Sequence, residues 1–213
     1  MTSNNTVRAL QSKLKVQAAI LGGFVAFIWL LELVDQLIFH GWLDHFGVWP
    51  RTAVGLWGIL LAPVLHAGFG HVMANTIPFI VLGWFVMMRR LRDFFIVSAI
   101  TVIVSGLGIW LIAPANTVHL GASGLIFGYF GYLLLRGYFE RSLSSIFWSV
   151  LVLFLYGGMI WGVLPQQLGI SWQSHLFGFI GGGLAAYWLT QRGTAVTTPV
   201  DTSPIIIDIN DFD

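Results

Sequence analysis

A hydroxyl, two imidazoles and a carboxamide stand out in a chain otherwise dominated by apolar side chains: Ser123 within Gly121-Ala122-Ser123-Gly124, His175, His71 and Asn75. A serine becomes a nucleophile only when a base takes its proton, and an acyl-transfer transition state needs donors aimed at the developing oxyanion. His175 can act as that base; His71, Asn75 and the Ser123 backbone N–H can act as donors. No third member of a triad is evident. Glu32 and Asp35 fall on another helix, and the remaining acids lie in the long first loop, at the inner side or in the tail, so the set reads as a Ser-His dyad. Taken singly, each residue has an ordinary explanation: glycines pack helices, a histidine bonds a carbonyl, a serine bonds back onto its own helix. Only convergence of all of them makes a reaction centre.

The elements that must bring them together are membrane helices. With 57% hydrophobic and 9% charged residues and a mean hydropathy of +0.83, the chain is far from a soluble domain, in which roughly a quarter of residues are charged. A net charge of +1 with so few basic residues makes no patch for nucleic acid. The absence of cysteine excludes a disulfide frame and thiolate chemistry. The first apolar run is longer than a signal-peptide core and lacks a small-residue cleavage pattern, so it reads as a retained anchor.

Six spans are expected, from about Val16 to His40, His71 to Arg89-Arg90, Phe94 to Ile112, Ser123 to Leu135, Ile146 to Val163 and Trp172 to Thr190. Residues 1–15 form a polar cytoplasmic tail, 16–190 the membrane domain and 191–213 a flexible, acidic cytoplasmic tail. The first loop, 41–70, is rich in tryptophan and leucine and is expected to lie in the interface. Glu32 and Asp35 would be costly facing lipid, which points them into the bundle or the interface. A cytoplasmic amino terminus puts Arg8, Lys13, Lys15, Arg89, Arg90, Arg92, Arg136, Arg141 and Arg192 inside and leaves only Arg51 outside. The second, fourth and sixth spans then enter from outside, with His71 and Asn75, Ser123, and His175 at their entrances.

Depth follows from helix rise. The steps from Ser123 to Arg136 cover roughly 20 Å of a core about 30 Å thick, so with Arg136 at the inner surface Ser123 sits about 10 Å below the outer one. Counted back from Arg89, Asn75 shares that level. Gly124 and Gly128, and likewise Gly178 and Gly182, recur at the spacing that lets helices meet backbone to backbone, bringing His175 toward Ser123.

Gly121-Ala122-Ser123-Gly124, His175 followed by Gly178 and Gly182, and His66 through His71 to Asn75 together resemble the rhomboid intramembrane serine proteases over about residues 16–190. The resemblance implies an all-α, six-transmembrane-helix bundle with both termini cytoplasmic. By position, Ser123 matches the nucleophile, His175 the general base, and His71 and Asn75 the side chains that join the Ser123 N–H in the oxyanion hole. Gly121, Gly124 and Gly178 match supporting positions, and His66 matches a structural histidine bracing the first loop. Phe127 falls where the family sets an aromatic ring against the imidazole, here without a hydroxyl. The family's Trp-Arg pair is interrupted, because Pro50 separates Trp49 from Arg51, which leaves Arg51 without an assigned role.

The function so implied is cleavage of single-span or polytopic membrane-protein substrates near their extracytoplasmic end, within a lipid bilayer, expected to be a bacterial plasma membrane. No cofactor, metal or nucleic acid is expected. Water would enter from outside through a cavity under the 164–172 loop, with the fifth span as a lateral gate for substrate. Two rival readings are a catalytically inactive membrane-protein binder and a small proton or cation transporter using His71, His175, Glu32 and Asp35; the even spans carry no matched pair of broken segments of the kind inverted-repeat transporters use.

Overall fold

The computed structural model describes residues 2–165 and 169–194, and over these it is a bundle of helices. Seven α-helices follow in order: α1 (Thr2–Val34), α2 (Ala53–Leu61), α3 (Phe69–Arg89), α4 (Leu91–Ile112), α5 (Ser123–Glu140), α6 (Leu143–Tyr156) and α7 (Trp172–Thr194). Four stretches among the described residues are long and apolar enough to cross a membrane: Asn5–Phe39, Phe69–Arg89, Leu91–Ile112 and Leu143–Val163. Large apolar side chains such as Phe154, Leu143 and Ile77 face outward on these helices, as lipid contact requires.

At the centre stands α5. Tyr129, Phe130 and Tyr132 are fully buried, and Gly124, Gly128 and Gly131 are buried among them. A helix buried on every side is the hub of a bundle. Its glycines explain how α7 approaches so closely: a Cβ at Gly178 would fall on the Gly124 carbonyl oxygen, one at Gly182 on the Gly128 carbonyl oxygen, and one at Gly131 on the Phe179 carbonyl oxygen. The small-residue spacing thus produces backbone-to-backbone packing along the whole contact.

Boundaries differ from expectation in instructive ways. Residues 2–15, expected as a tail, continue α1 as helix. Nothing in that polar stretch breaks a helix, and Lys13 Nζ and Gln17 Nε2 dock it by donating to the Met88 and Met87 carbonyls at 3.0 Å. The first loop is not a loop for much of its length, since Thr52 caps α2 by accepting from the Gly55 N–H at 3.0 Å. Glu32 and Asp35 are each 2% exposed and turn inward, with Asp35 Oδ1 accepting the Leu43 N–H at 3.0 Å.

Arg136 is not the last residue of its helix, which runs on to Glu140. Glu140 pairs with Arg136 Nε at 3.0 Å and also with Arg89, which carries α5 one turn further and sets the ends of α3 and α5 level. Of the expected flexible tail, 191–213, residues 191–194 continue α7 as helix, and the rest lies outside the described residues.

Candidate active site

Ser123 opens α5. Gly121, at φ +116°, makes the reversal that precedes it, a conformation natural to glycine. Three contacts from the first loop fix this turn. The Gly121 N–H donates to the Ala62 carbonyl at 2.8 Å, the Ala122 N–H donates to His66 Nε2 at 3.3 Å, and Val48 and His119 exchange backbone hydrogen bonds at 2.8 and 3.1 Å. The first bond of the helix runs from the Ile126 N–H to the Ala122 carbonyl at 3.1 Å. The Ser123, Gly124 and Leu125 N–H groups therefore have no acceptor in their own helix, and they form a positive helix end beside the hydroxyl.

His175 is brought to the same spot by α7 and held there by two contacts. Its ring stacks on Phe127 with centroids 4.0 Å apart and planes 7° from parallel. Phe127 is one helical turn beyond Ser123, so the imidazole and the hydroxyl share a face of α5. The second contact is Nδ1 to the Gly162 carbonyl oxygen at 2.9 Å. A carbonyl only accepts, so Nδ1 carries the proton and Nε2 presents its lone pair. In a triad a carboxylate fixes that tautomer; a backbone carbonyl does so here. No hydrogen bond joins Ser123 to His175 among the described residues; such a bond commonly tightens only when substrate is bound.

The proposed donors lie on α3. The His71 ring lies against Gly121, where a Cβ would stand 2.7 Å from Nε2. Its Nδ1 accepts the Ala67 N–H at 3.4 Å, which leaves Nε2 as the protonated atom, a donor beside Gly121. Asn75, one turn along α3 from His71, is 6% exposed, and its Nδ2 has no acceptor among the described residues. His66 packs edge-on to His71 at 5.0 Å and is 1% exposed. Burial, with a smaller contribution from His71, pushes its pKa down to about 4, so it stays neutral and keeps accepting from Ala122.

A cavity of about 250 Å³ opens beside His175, lined by Phe127, Met159, Trp161, Leu164 and Ile170. Its walls come from the stretch after α6, where Gly157–Val163 tightens into a 3-10 helix, and from the segment entering α7.

Some contributors were invisible in the sequence. Gly162 offers only a carbonyl. Arg51, left without a role, donates from Nη1 to the Leu111 and Ala113 carbonyls at 3.1 and 2.8 Å, satisfying the carboxyl end of α4. Ser105 of α4 donates to the Ser174 carbonyl at 3.1 Å, steadying the start of α7.

A model of the Rhomboid domain matches residues 53–192. The chain is 46% identical over 175 residues to Rv1337 of Mycobacterium tuberculosis, described as an uncharacterized protein, covering 78% of this chain and 72% of that one. It is 31% identical over 180 residues to YdcA of Bacillus subtilis, whose name marks it as a candidate rhomboid protease, covering 79% of this chain and 89% of that one. RHOMBOID-like protein 5 of Arabidopsis thaliana is 28% identical over 147 residues, 64% of this chain and 45% of that one.

Proposed function

Because this chain belongs to the rhomboid family, we propose that it is an intramembrane serine endopeptidase working with a Ser123-His175 dyad. The observation that carries this reading is the Phe127-His175 stack, which holds the imidazole on the face of α5 that Ser123 heads, while Gly162 keeps Nε2 free. His175 Nε2 takes the Ser123 proton, and Oγ attacks a peptide carbonyl. The oxyanion is met by the Ser123 N–H, His71 Nε2–H and the unpaired Asn75 amide. His175 then returns the proton to the leaving amine, and water, activated by the same nitrogen, hydrolyses the acyl-enzyme.

The architecture in this reading has six spans, α1, α3, α4, α5, α6 and α7, with both termini cytoplasmic and the dyad in the outer leaflet of a bacterial plasma membrane. The basic residues support this orientation, with Arg51 at the opposite end from Arg89 and Arg136. Substrate enters past α6, whose exposed apolar residues, such as Phe147 and Phe154, make it the candidate lateral gate. The 250 Å³ cavity beside His175 offers space for water and for a substrate side chain.

The test uses purified protein in detergent with a fluorophosphonate probe and a panel of single-span substrates. Wild type should label and cleave, and Ser123→Ala should do neither. Equal behaviour of the two on every substrate would overturn the protease reading in favour of an inactive membrane-protein binder or a transporter.

A further inference from the structure

His119 lies four residues before Ser123, and Ser171 four before His175, and their side chains meet. His119 Nδ1 stands 2.7 Å from Ser171 Oγ, and its Nε2 stands 2.8 Å from Thr117 Oγ1. The proton positions follow by elimination. Thr117 has one hydroxyl proton and donates it to the Pro114 carbonyl at 2.6 Å. Thr117 Oγ1 can then only accept from His119, so Nε2 carries the ring proton and Nδ1 is an acceptor. The Ser171 hydroxyl must donate to Nδ1, while Ser171 Oγ accepts the Ser174 N–H at 3.2 Å. A polar chain thus runs from the first turn of α7 through Ser171, His119 and Thr117 to Pro114, with every donor pointing the same way. Hydrogen bonds aligned in this manner reinforce one another.

The two ends of this chain belong to the two halves of the dyad. The backbone of His119 is fixed by its paired bonds to Val48, and the Ser171 carbonyl accepts the His175 N–H at 3.3 Å. Resting on the protease reading above, we propose that His119 is a positioning residue. It locks the turn that presents Ser123 to the N-terminal cap of α7, and so fixes where His175 stands relative to the nucleophile. Ser105 steadies the same turn of α7 from α4 by donating to the Ser174 carbonyl, whereas His119 carries its hydrogen bonds on the segment that leads into Ser123. Burial pushes the His119 pKa below its ordinary value, which keeps Nδ1 an acceptor at neutral pH.

Two isosteric variants separate this role from simple bulk. In His119→Asn the amide oxygen occupies the place of Nδ1 and can still accept from Ser171. In His119→Gln the amide reaches the place of Nε2, keeping Thr117 and losing Ser171. Cleavage by the full chain should fall about 10- to 100-fold in kcat for Gln with KM within about twofold, while Asn stays within about threefold of wild type. Hydrogen–deuterium exchange of the Ser174 and His175 amides should quicken in Gln and not in Asn. Equal rates and equal exchange for both variants and wild type overturn the proposal, as does equal impairment of both. If wild type neither cleaves nor takes up the fluorophosphonate, the protease reading fails by itself. Exchange then decides the strut: faster exchange confined to Gln supports it, and unchanged exchange overturns it.

Discussion

At the scale of single residues the site divides labour between side chains and backbone. His175 is the proposed base, so His175→Ala should abolish turnover. His71 is one donor among three, so His71→Ala should lower kcat by about 10² to 10³, roughly 3 to 4 kcal/mol of barrier, and leave measurable cleavage. Full loss in both variants would merge their roles. Gly162 yields a sharper expectation. A Cβ there would stand 2.7 Å from Phe127 Cζ and 3.3 Å from His175 Nδ1, crowding both stacked rings at once. Gly162→Ala should therefore cost about tenfold or more in kcat, because a base displaced by a fraction of an ångström loses its line to the hydroxyl. Thermal unfolding should change little, since half-buried Gly162 sits at the edge of a cavity and not in the core.

Between helices, the contact of α5 with α7 sets the distance across the dyad. Gly178 meets the Gly124 carbonyl, next to Ser123 in sequence and one turn from His175. Any side chain there must lever α7 away from α5. Gly178→Leu should lose fluorophosphonate labelling while circular dichroism still reports a helical protein, because the inner parts of the contact and the buried rings of Tyr129, Phe130 and Tyr132 remain to hold the bundle. Full labelling of that variant would contradict the close approach. Helix α1 behaves differently: its Lys13 and Gln17 contacts reach the carboxyl end of α3, away from His71 and Asn75 near its start, so changes there should act on stability and leave kcat alone.

Across the whole molecule, acid should destabilise the fold through His66. Its folded pKa of about 4 lies below the ordinary value of 6.5, so between these pH values the unfolded chain binds a proton that the folded chain does not. Stability is fully present above pH 6.5 and falls as pH drops toward 4. Asp44, in the first loop, is pushed up to about 6 by burial and by Asp35 and Glu32, and it contributes the opposite slope. Comparing wild type with His66→Gln isolates the histidine: the variant should be less stable at neutral pH and lose that part of the acid slope. Parallel melting curves between pH 4 and 6.5 would remove His66 from the account. Substrate choice is also a property of the whole. An unbroken helix hides its carbonyls, and each backbone group freed in lipid costs several kcal/mol. Replacing glycine or proline by leucine in the outer half of a cleaved span should reduce cleavage severalfold, and the same change at its cytoplasmic end should do little. Equal cleavage of both, read by mass spectrometry of the product termini, would dismiss the need for unwinding.

Hydropathy and residue order alone made an all-helical membrane protein of the rhomboid family legible and singled out the chemistry-bearing residues on which the proposal rests. Hydropathy is a sum over local residues, and the glycine spacings at Gly124, Gly128, Gly178 and Gly182 are local too, so the packing of α5 on α7 was legible before any coordinates. The resemblance attached to Ser123, His175, His71 and Asn75 needed no more than residue types in order. Where helices end was less legible, because Glu140 extends α5 by pairing with Arg89 from another helix, and residues 2–15 continue α1 as helix with Lys13 reaching the Met88 carbonyl of α3. The partners that orient His175 come from the fold. Every amino acid carries a carbonyl, so nothing in the letter code marks the one at Gly162 that fixes the His175 tautomer. Arg51 found its acceptors sixty residues away. His119 and Ser171 are separated by 52 positions, and only the fold of the chain brings these two ordinary polar residues together as the proposed strut between Ser123 and His175.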